Sequence, residues 1–439
     1  MKSPKDEKSS PSRREFLAGA SGLVAGAFVD SLLNSPARAA AAANSAVNSS
    51  TAGATPRAPI EPFWGEHQGG VITPAQNATY FAAFDVTTNK KEELIAVLRD
   101  WTNAAARMSG GQTAESLASD TSAPPSDSGE ALDISPARLT VTFGFGPGLF
   151  LKEGQDRFGL KSHRPEALVD LPKFNGDQLV ETRTGGDISI QACSDDPQVA
   201  FHAMRQLARL AYGAVQIRWT QSGFLPHSGD NQNPRNLMGF KDGTNNPSIG
   251  DPALMSKFIW VGDEGPAWMR GGSYAVVRRI RIALEHWDRM SVAFQEQTVG
   301  RQKYSGAPLG GTKEFDSPNL EASDKDGNSV IPDNAHIRLA AADSNDGMRI
   351  LRRSYSYNDG VNFTSERWPP WRQGMEYDAG LLFLSYQRDP RTGFIKIFDQ
   401  MSKLDMMNQF VTHTGGGLFA CPRGVAQGEF IGQHLFKSM

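Results

Sequence analysis

Two segments of this chain share one pattern, and that pattern constrains the fold more than any other feature. Residues 188–210 and 381–404 each contain an apolar run of strand character, then Asp-Pro, and then a stretch with helical periodicity. The pairs Asp196-Pro197 and Asp389-Pro390 lie 193 residues apart. Aspartate accepts hydrogen bonds from the free N–H groups at a helix start, and proline fits the first turn, so each pair predicts the beginning of a helix.

A fainter strand-then-helix pattern occurs earlier in each half of the chain, at 78–105 and at 271–290. Together with the repeated segments it predicts the order β-α-β-β-α-β twice. This order indicates the α+β class, with two ferredoxin-like halves at 60–225 and 255–436. Further strands are expected at 138–145, 215–221 and 410–421.

Two stretches of the chain lack periodicity and are predicted to be loops. Residues 109–136 are rich in Ser, Gly, Asp and Pro, which is typical of a surface loop. Residues 226–254 connect the two halves. Ligand clefts often lie between such units, so this connection is the first place to search for a site.

The N-terminus has the features of an export signal. Arg13-Arg14 precede a short apolar run, and Ala37-Arg38-Ala39 resembles a cleavage site. The apolar run is interrupted by Asp30 and is too short for a stable membrane span. Residues 1–40 are therefore predicted to be a twin-arginine signal, followed by an unstructured tail at 41–59. This predicts export of the folded protein to the periplasm or the extracellular space, by a route that often carries proteins with a cofactor already bound.

Composition excludes several classes of function. A net charge of -3 over 439 residues gives no indication of nucleic acid as a partner. The two cysteines, Cys193 and Cys421, are far apart and form no CxxC motif, so buried free thiols are expected and structural zinc is not. The motifs of zinc hydrolases, serine hydrolases and nucleotide-binding proteins are also missing from the sequence.

The connection contains one motif that invites a chemical interpretation, NLMGFKDGTNNP at 236–247. Asp-Gly is a common turn dipeptide, so the simplest interpretation of Asp242 is a bend. His336 begins a short helical pattern, and Arg352-Arg353 follow it after an apolar pair. Taken singly, a lone histidine is more often a packing residue than a ligand, and paired arginines are more often a solvated strand edge.

Taken together and in order, these segments resemble the dye-decolourising peroxidase family. The resemblance rests on GFKDG at 239–243 with its flanks, HIRLA at 336–340, ILRRSYSY at 350–357 and GFGPGLF at 144–150. It extends over residues 60–436 and is strongest toward the exported branch that includes iron-acquisition deferrochelatases. GxxDG alone would be weak; several separate motifs in the right order make the resemblance specific.

The resemblance implies one haem b per chain, bound between the two halves. By this resemblance His336 is the proximal ligand of the haem iron. A neutral imidazole is a standard ligand of peroxidase iron, and its second nitrogen is expected to donate a hydrogen bond to a carboxylate or carbonyl. Asp343 and Asp346 are the candidates for that carboxylate because they follow His336 closely.

On the opposite side of the haem the resemblance implies an aspartate and an arginine, which correspond to Asp242 and Arg352. Arg353 stays as an alternative, because adjacent strand residues face opposite sides and only one can point into the site. Asp242 would take a proton from hydrogen peroxide and return it to the outer oxygen, while the guanidinium stabilises developing negative charge. Gly243, Thr244 and Asn245 are expected to line the cofactor edge.

The expected substrates are hydrogen peroxide and small aromatic electron donors such as dyes and phenols. A dye is too large for a buried site, so electrons from the dye would hop through surface aromatic residues. Four aromatic residues near the arginines are candidates, although ordinary packing is favoured for each: Trp368, Trp371, Tyr355 and Tyr357. Because the ordinary pKa of aspartate is about 3.9, the pH optimum is expected on the acid side of neutral.

Two other functions use the same pocket. One is a deferrochelatase, which removes iron from haem, leaves the tetrapyrrole intact and would require iron-uptake components as partners. The other is a haem carrier without turnover. Retention of both Asp242 and Arg352 favours peroxide chemistry, because a carrier has no need of an acid–base pair. Members of the family often self-associate, so a homo-oligomer is a further expectation.

Overall fold

The computed structural model describes residues 60–226, 233–365 and 373–437. Its strands are β1 (Ala78–Val86), β2 (Thr140–Phe145), β3 (Ile188–Ser194), β4 (Val215–Phe224), β5 (Ser273–Ile282), β6 (Leu351–Arg352), β7 (Tyr355–Ser365), β8 (Gln373–Gln387) and β9 (Val411–Cys421). The predicted signal and tail at 1–59 lie outside the described residues.

The helices lie between the strands and at the ends of the described chain. They are α1 (Gly69–Ile72), α2 (Lys91–Ser109), α3 (Pro147–Phe150), α4 (Pro197–Leu210), α5 (Pro252–Phe258), α6 (Leu284–Trp287), α7 (Val292–Val299), α8 (His336–Ala340), α9 (Lys396–Leu404) and α10 (Gln433–Lys437). Within the described ranges, none of them is long and apolar enough to cross a bilayer.

The strands form two antiparallel groups that join into one barrel-like sheet. The first group has the order β2-β3-β1-β4, and the second has the order β9-β5-β8-β7, with β6 on the same edge of β8 as β7. One residue pair joins the groups at each seam, Phe145 with Ala420 and Phe224 with Ser356. The ring of strands therefore closes at two narrow contacts.

Apolar side chains fill both sides of this sheet. Inside the ring, Phe81 and Trp219 of the first group pack with Leu382 and Phe419 of the second. Outside, α2 and α4 cover the first group, and the fully buried Trp101 lies against Phe143. Every residue of β2 and β3 is buried, although Thr, Ser and Gln residues occur among the apolar ones.

The first Asp-Pro prediction is confirmed. α4 begins at Pro197, and the carboxylate of Asp196 accepts hydrogen bonds from the backbone N–H groups of Gln198 and Val199. The helix that follows the second Asp-Pro pair starts differently. Asp389 accepts from the backbone N–H of Arg391, but a single π-type turn at Arg391–Ile395 precedes α9, because Gly393 leaves helical geometry at φ -82°, ψ -111°.

The pattern at 271–290 predicted one helix after β5, and the structure differs there. α6 has only four residues, and a second helix, α7, starts after Ser291, whose hydroxyl accepts from the backbone N–H of Phe294. The helix within the predicted segment is therefore short, and α7 begins only after that segment, at a serine cap. In the first half, residues 110–139 form turns and bends between α2 and β2, as the composition of 109–136 predicts.

Candidate active site

The loop that contains Asp242 is bent by its own backbone. Gly239 and Gly243 have φ values of +84° and +100°, a region that side chains with a Cβ avoid. The backbone N–H of Asp242 donates to the carbonyl oxygen of Pro234 at 2.9 Å, and Arg235 pairs with Lys241 in an isolated bridge. These contacts close the loop and fix the direction of the Asp242 side chain.

Asp242 and one of the two arginines meet in the structure. Arg352 Nη1 donates to Asp242 Oδ1 at 2.7 Å, although 110 residues separate them. Both side chains are partly buried. Arg353 points away from this pair: its guanidinium is buried and donates to the carbonyl oxygen of Thr73 and to Gln76 Oε1. Of the two candidates, Arg352 is the one that the structure brings to Asp242.

His336 is the first residue of α8, and its ring is fixed by a carboxylate. His336 Nδ1 lies 2.7 Å from Asp405 Oδ2, and the Asp405 side chain is only 3% exposed. A carboxylate can only accept, so the ring proton lies on Nδ1 and the lone pair on Nε2. Among the described residues, Nε2 has no hydrogen-bond partner. A tautomer fixed in this way is the usual arrangement of a metal-binding histidine.

The prediction that Asp343 or Asp346 holds His336 is wrong. Both are exposed: Asp343 lies in a short turn after α8, and Asp346 pairs with Lys396 at the surface. α8 is only five residues long, so its continuation turns these carboxylates outward.

Asp405 reaches His336 through the packing of two helices. Leu339 of α8 packs against Ile397 and Met401 of α9, which brings the end of α9 beside the start of α8. The other oxygen of Asp405 accepts the backbone N–H of Met407 at 2.8 Å. Sequence reasoning missed Asp405 because its only local signal is that of an ordinary turn cap.

A second carboxylate, Glu314, supports the Asp242 loop from outside. Glu314 Oε1 accepts hydrogen bonds from Asn233 Nδ2 at 2.7 Å and from Thr244 Oγ1 at 3.1 Å. Arg301 is buried nearby. Burial lowers the pKa of its guanidinium, the carboxylate of Glu314 opposes that shift, and the positive charge of Arg352 adds to it. The guanidinium groups of Arg301 and Arg352 are therefore close enough for their charges to interact.

A cavity of about 150 Å³ opens beside the Asp242–Arg352 pair. Both halves of the chain contribute to its wall, since Leu225 follows β4 of the first half and Leu381 belongs to β8 of the second. Gly243 also lines it. The hydroxyl of Thr244 turns to Glu314 instead, and Asn245 is exposed.

The proposed electron-transfer aromatics divide into two pairs. Tyr355 and Tyr357 are buried, with 0% and 1% of their surface exposed, which agrees with a packing role. Burial also raises the pKa of both hydroxyl groups. Trp368 and Trp371 lie outside the described residues.

Two family models together match most of the chain. Residues 68–225 match the model of the Dyp-type peroxidase N-terminal domain, and residues 233–426 match that of the C-terminal domain. The chain belongs to the Dyp-type peroxidase family and is accordingly an enzyme of the peroxidase class of oxidoreductases.

Individual relatives cover almost the whole chain. The deferrochelatase of Yersinia pseudotuberculosis is 36% identical over 445 residues, covering 99% of this chain and 97% of the relative. The dye-decolorizing peroxidase of Thermobifida fusca is 35% identical over 465 residues and covers 100% of both chains. Among solved structures, ferric DtpA from Streptomyces lividans has a TM-score of 0.78 at 39% identity, covering 88% of this chain and 100% of its own.

Proposed function

We propose that this protein is a haem b-dependent peroxidase with one haem per chain, which uses hydrogen peroxide to oxidise dyes and phenols in one-electron steps. The observation that carries the proposal is the contact of Asp242 Oδ1 with Arg352 Nη1 at 2.7 Å on the wall of the cavity. A carboxylate and a fixed cation at one cavity are the groups that peroxide activation needs.

His336 and its partner Asp405 have the chemistry that binding of a haem iron requires. His336 offers an unpaired Nε2 with its tautomer fixed by Asp405, and its side chain is 30% exposed, so the ring is accessible to a ligand. His336 would hold the iron, and Gly243 would lie along the cofactor edge. When bound, the haem supplies the two-electron redox chemistry that the side chains lack.

The protein's own residues would handle the proton of the peroxide. Arg352 holds Asp242 Oδ1, which leaves Oδ2 free for proton transfer. Oδ2 would accept a proton from one oxygen of peroxide and return it to the other oxygen. The guanidinium of Arg352 keeps its charge throughout and stabilises the negative charge that develops as the O–O bond breaks. Water is then the leaving group.

The test compares peroxide-dependent dye oxidation by wild type, Asp242→Asn and Arg352→Leu. The chain provides a matched control pair, Asp263 and Arg270, which form an exposed ion pair at 2.9 Å. We expect the site variants to lose about 10²–10⁴-fold in kcat/KM for peroxide, the range of general-base and electrostatic effects. Asp263→Asn and Arg270→Leu should stay within about twofold, because exposed ion pairs contribute little. Equal activity in all five proteins would refute the mechanism.

A Soret band in the purified protein is the simpler first measurement. His336→Ala should abolish or shift that band. An unchanged spectrum in this variant would refute His336 as the iron ligand, whatever the activity.

The name of the Yersinia pseudotuberculosis relative supports a second candidate, release of iron from haem with the tetrapyrrole left intact. Incubation with haem should then produce the fluorescence of metal-free protoporphyrin. If the protein oxidises dyes and releases no protoporphyrin, it is a peroxidase only. If it releases protoporphyrin and does not oxidise dyes, its function is iron release.

We further propose that the protein is exported in the folded state and that each half is a ferredoxin-like unit. Arg13-Arg14 and the sequence before Ala39 support export by the twin-arginine route. Replacement of both arginines by lysine should leave the full-length precursor in the cytoplasm, and cleavage despite that change would refute the route. The strand orders β4-β1-β3-β2 and β9-β5-β8-β7 support the ferredoxin-like halves.

A further inference from the structure

Arg352 lies on a strand of only two residues, and its backbone is held by contacts on both edges of that strand. β6 pairs with β8 through Leu351 with Tyr386 and Arg352 with Ser385, and the backbone N–H of Arg353 donates to the carbonyl oxygen of Leu384 at 2.7 Å. Successive residues of an antiparallel strand direct their backbone groups to opposite edges. The N–H and C=O of Arg352 therefore face away from β8.

Both of these groups are bound by one side chain. Asn246 Nδ2 donates to the carbonyl oxygen of Arg352 at 2.8 Å, and Asn246 Oδ1 accepts the backbone N–H of Arg352 at 3.1 Å. The carboxamide thus takes the place of a neighbouring strand. Asn246 also belongs to the loop of Asp242, and its own backbone N–H donates to the carbonyl oxygen of Gly243 at 3.0 Å.

We infer that Asn246 is a positioning residue for the reaction: its carboxamide fixes the backbone of Arg352 to the loop of Asp242, so that the guanidinium and the carboxylate face the cavity at a set separation. This inference rests on the proposed peroxidase function. The ion pair alone leaves the separation undetermined, because the long arginine side chain can follow a carboxylate that moves. A displacement of about 1 Å at a reacting group can cost about 10²-fold in rate.

The loop has a second anchor, so removal of Asn246 should move Arg352 without unfolding the loop. Glu314 holds Asn233 before Asp242 and Thr244 after it, independently of Asn246. The backbone bond from Asp242 to Pro234 is likewise independent of Asn246. A specific effect on Arg352 can therefore be separated from a general loss of structure.

The experiment uses the full-length holoenzyme with Asn246→Ala and Asn246→Asp. The matched control is Asn358→Ala, because Asn358 is exposed and its side chain accepts only the nearby backbone N–H of Gly360. We expect Asn246→Ala to lower kcat/KM for peroxide by about tenfold to a hundredfold while the KM for the dye, the haem content and the Soret band stay at wild-type values. The control should match wild type.

Asn246→Asp tests the donor half of the contact by pH. An ionised carboxylate still accepts from the N–H of Arg352 but repels its carbonyl oxygen. Below about pH 4 the introduced group is protonated and can donate again. The activity of this variant relative to wild type should therefore rise as the pH falls. A ratio that is flat with pH, or wild-type kcat/KM in Asn246→Ala, would overturn the inference.

Hydrogen exchange at the backbone amide of Arg352 gives a measurement that does not depend on turnover. This amide should be protected in wild type and in Asn358→Ala, and should exchange at least about tenfold faster in Asn246→Ala. Absence of turnover with peroxide in wild type would refute the proposed function. Unchanged exchange at Arg352 in Asn246→Ala would separately overturn the positioning role. Loss of haem together with activity in Asn246→Ala would also overturn it, since that pattern indicates a role in the fold.

Discussion

The contact between His336 and Asp405 gives the sharpest prediction, because Asp405 uses both of its oxygens as acceptors. One oxygen accepts from His336 Nδ1 at 2.7 Å and the other accepts the backbone N–H of Met407 at 2.8 Å. An asparagine offers one acceptor and one donor. In Asp405→Asn one of these two hydrogen bonds must therefore be lost.

Either failure has a defined consequence. If the amide oxygen stays with Met407, the NH₂ group faces His336 Nδ1, and the ring proton moves to Nε2, where it blocks binding to a metal. If the amide oxygen turns to His336, the turn loses its cap, which typically costs about 1 kcal/mol. Loss of such a carboxylate partner typically weakens metal binding by about 10–100-fold. This equals about 1.4–2.8 kcal/mol of binding free energy.

The assay is a titration of the apoprotein with haem, followed at the Soret band. Asp399→Asn is the control, because Asp399 lies on α9 close to Asp405 in sequence but is 57% exposed and forms a surface ion pair with Lys403. We expect the dissociation constant to rise about 10–100-fold in Asp405→Asn and to stay within about twofold in the control, as exposed ion pairs are weak. Wild-type affinity in Asp405→Asn would refute the tautomer argument. Equal losses in both variants would indicate an effect on α9 instead.

Three further predictions concern stability. Burial by itself raises the pKa of Glu130, but hydrogen bonds from Ser128 and from its own backbone, with the charge of His202, lower it to about 2. The contribution of Glu130 should therefore be complete above about pH 4.5 and decline as the pH falls toward 2, and Glu130→Gln should flatten melting temperature against pH in that window. Trp101→Ala should cost about 3–5 kcal/mol in denaturant unfolding, because the side chain is fully buried. Gly243→Ala should cost about 1–2 kcal/mol in the same assay, since φ is +100° there, and a neutral effect would contradict the backbone argument.

Much of the fold could be predicted because its signals are local. The helix start at Asp196 depends on the residues that immediately follow it, and the strand at 140–145 depends on its own alternation of Val and Phe with Thr and Gly. The bend at Asp242 could also be predicted, because Gly239 and Gly243 are the residues that positive φ values require. Predictions failed where the backbone leaves regular helical geometry inside an expected helix, as in the π-type turn around Gly393.

The residues that position the site were not predictable in this way, and the reason is geometric. Asp405 lies 69 residues from His336, and Asn246 lies 106 residues from Arg352, so no local pattern connects the members of either pair. Asp343 is nearer to His336 in sequence, yet the end of α8 turns it outward, while the packing of α9 on α8 brings Asp405 inward.

Asp405 and Asn246 hold different groups, so their losses should affect different measurements. Asp405 fixes which nitrogen of His336 carries the proton, so its loss should appear in cofactor binding. Asn246 fixes the backbone of Arg352, so its loss should appear in the reaction with peroxide while the cofactor stays bound. In the proposed mechanism motif residues supply the reactive groups, and residues from distant segments set their tautomer and separation. Substitutions limited to GFKDG and HIRLA would therefore identify the reacting groups and leave the control of their geometry untested.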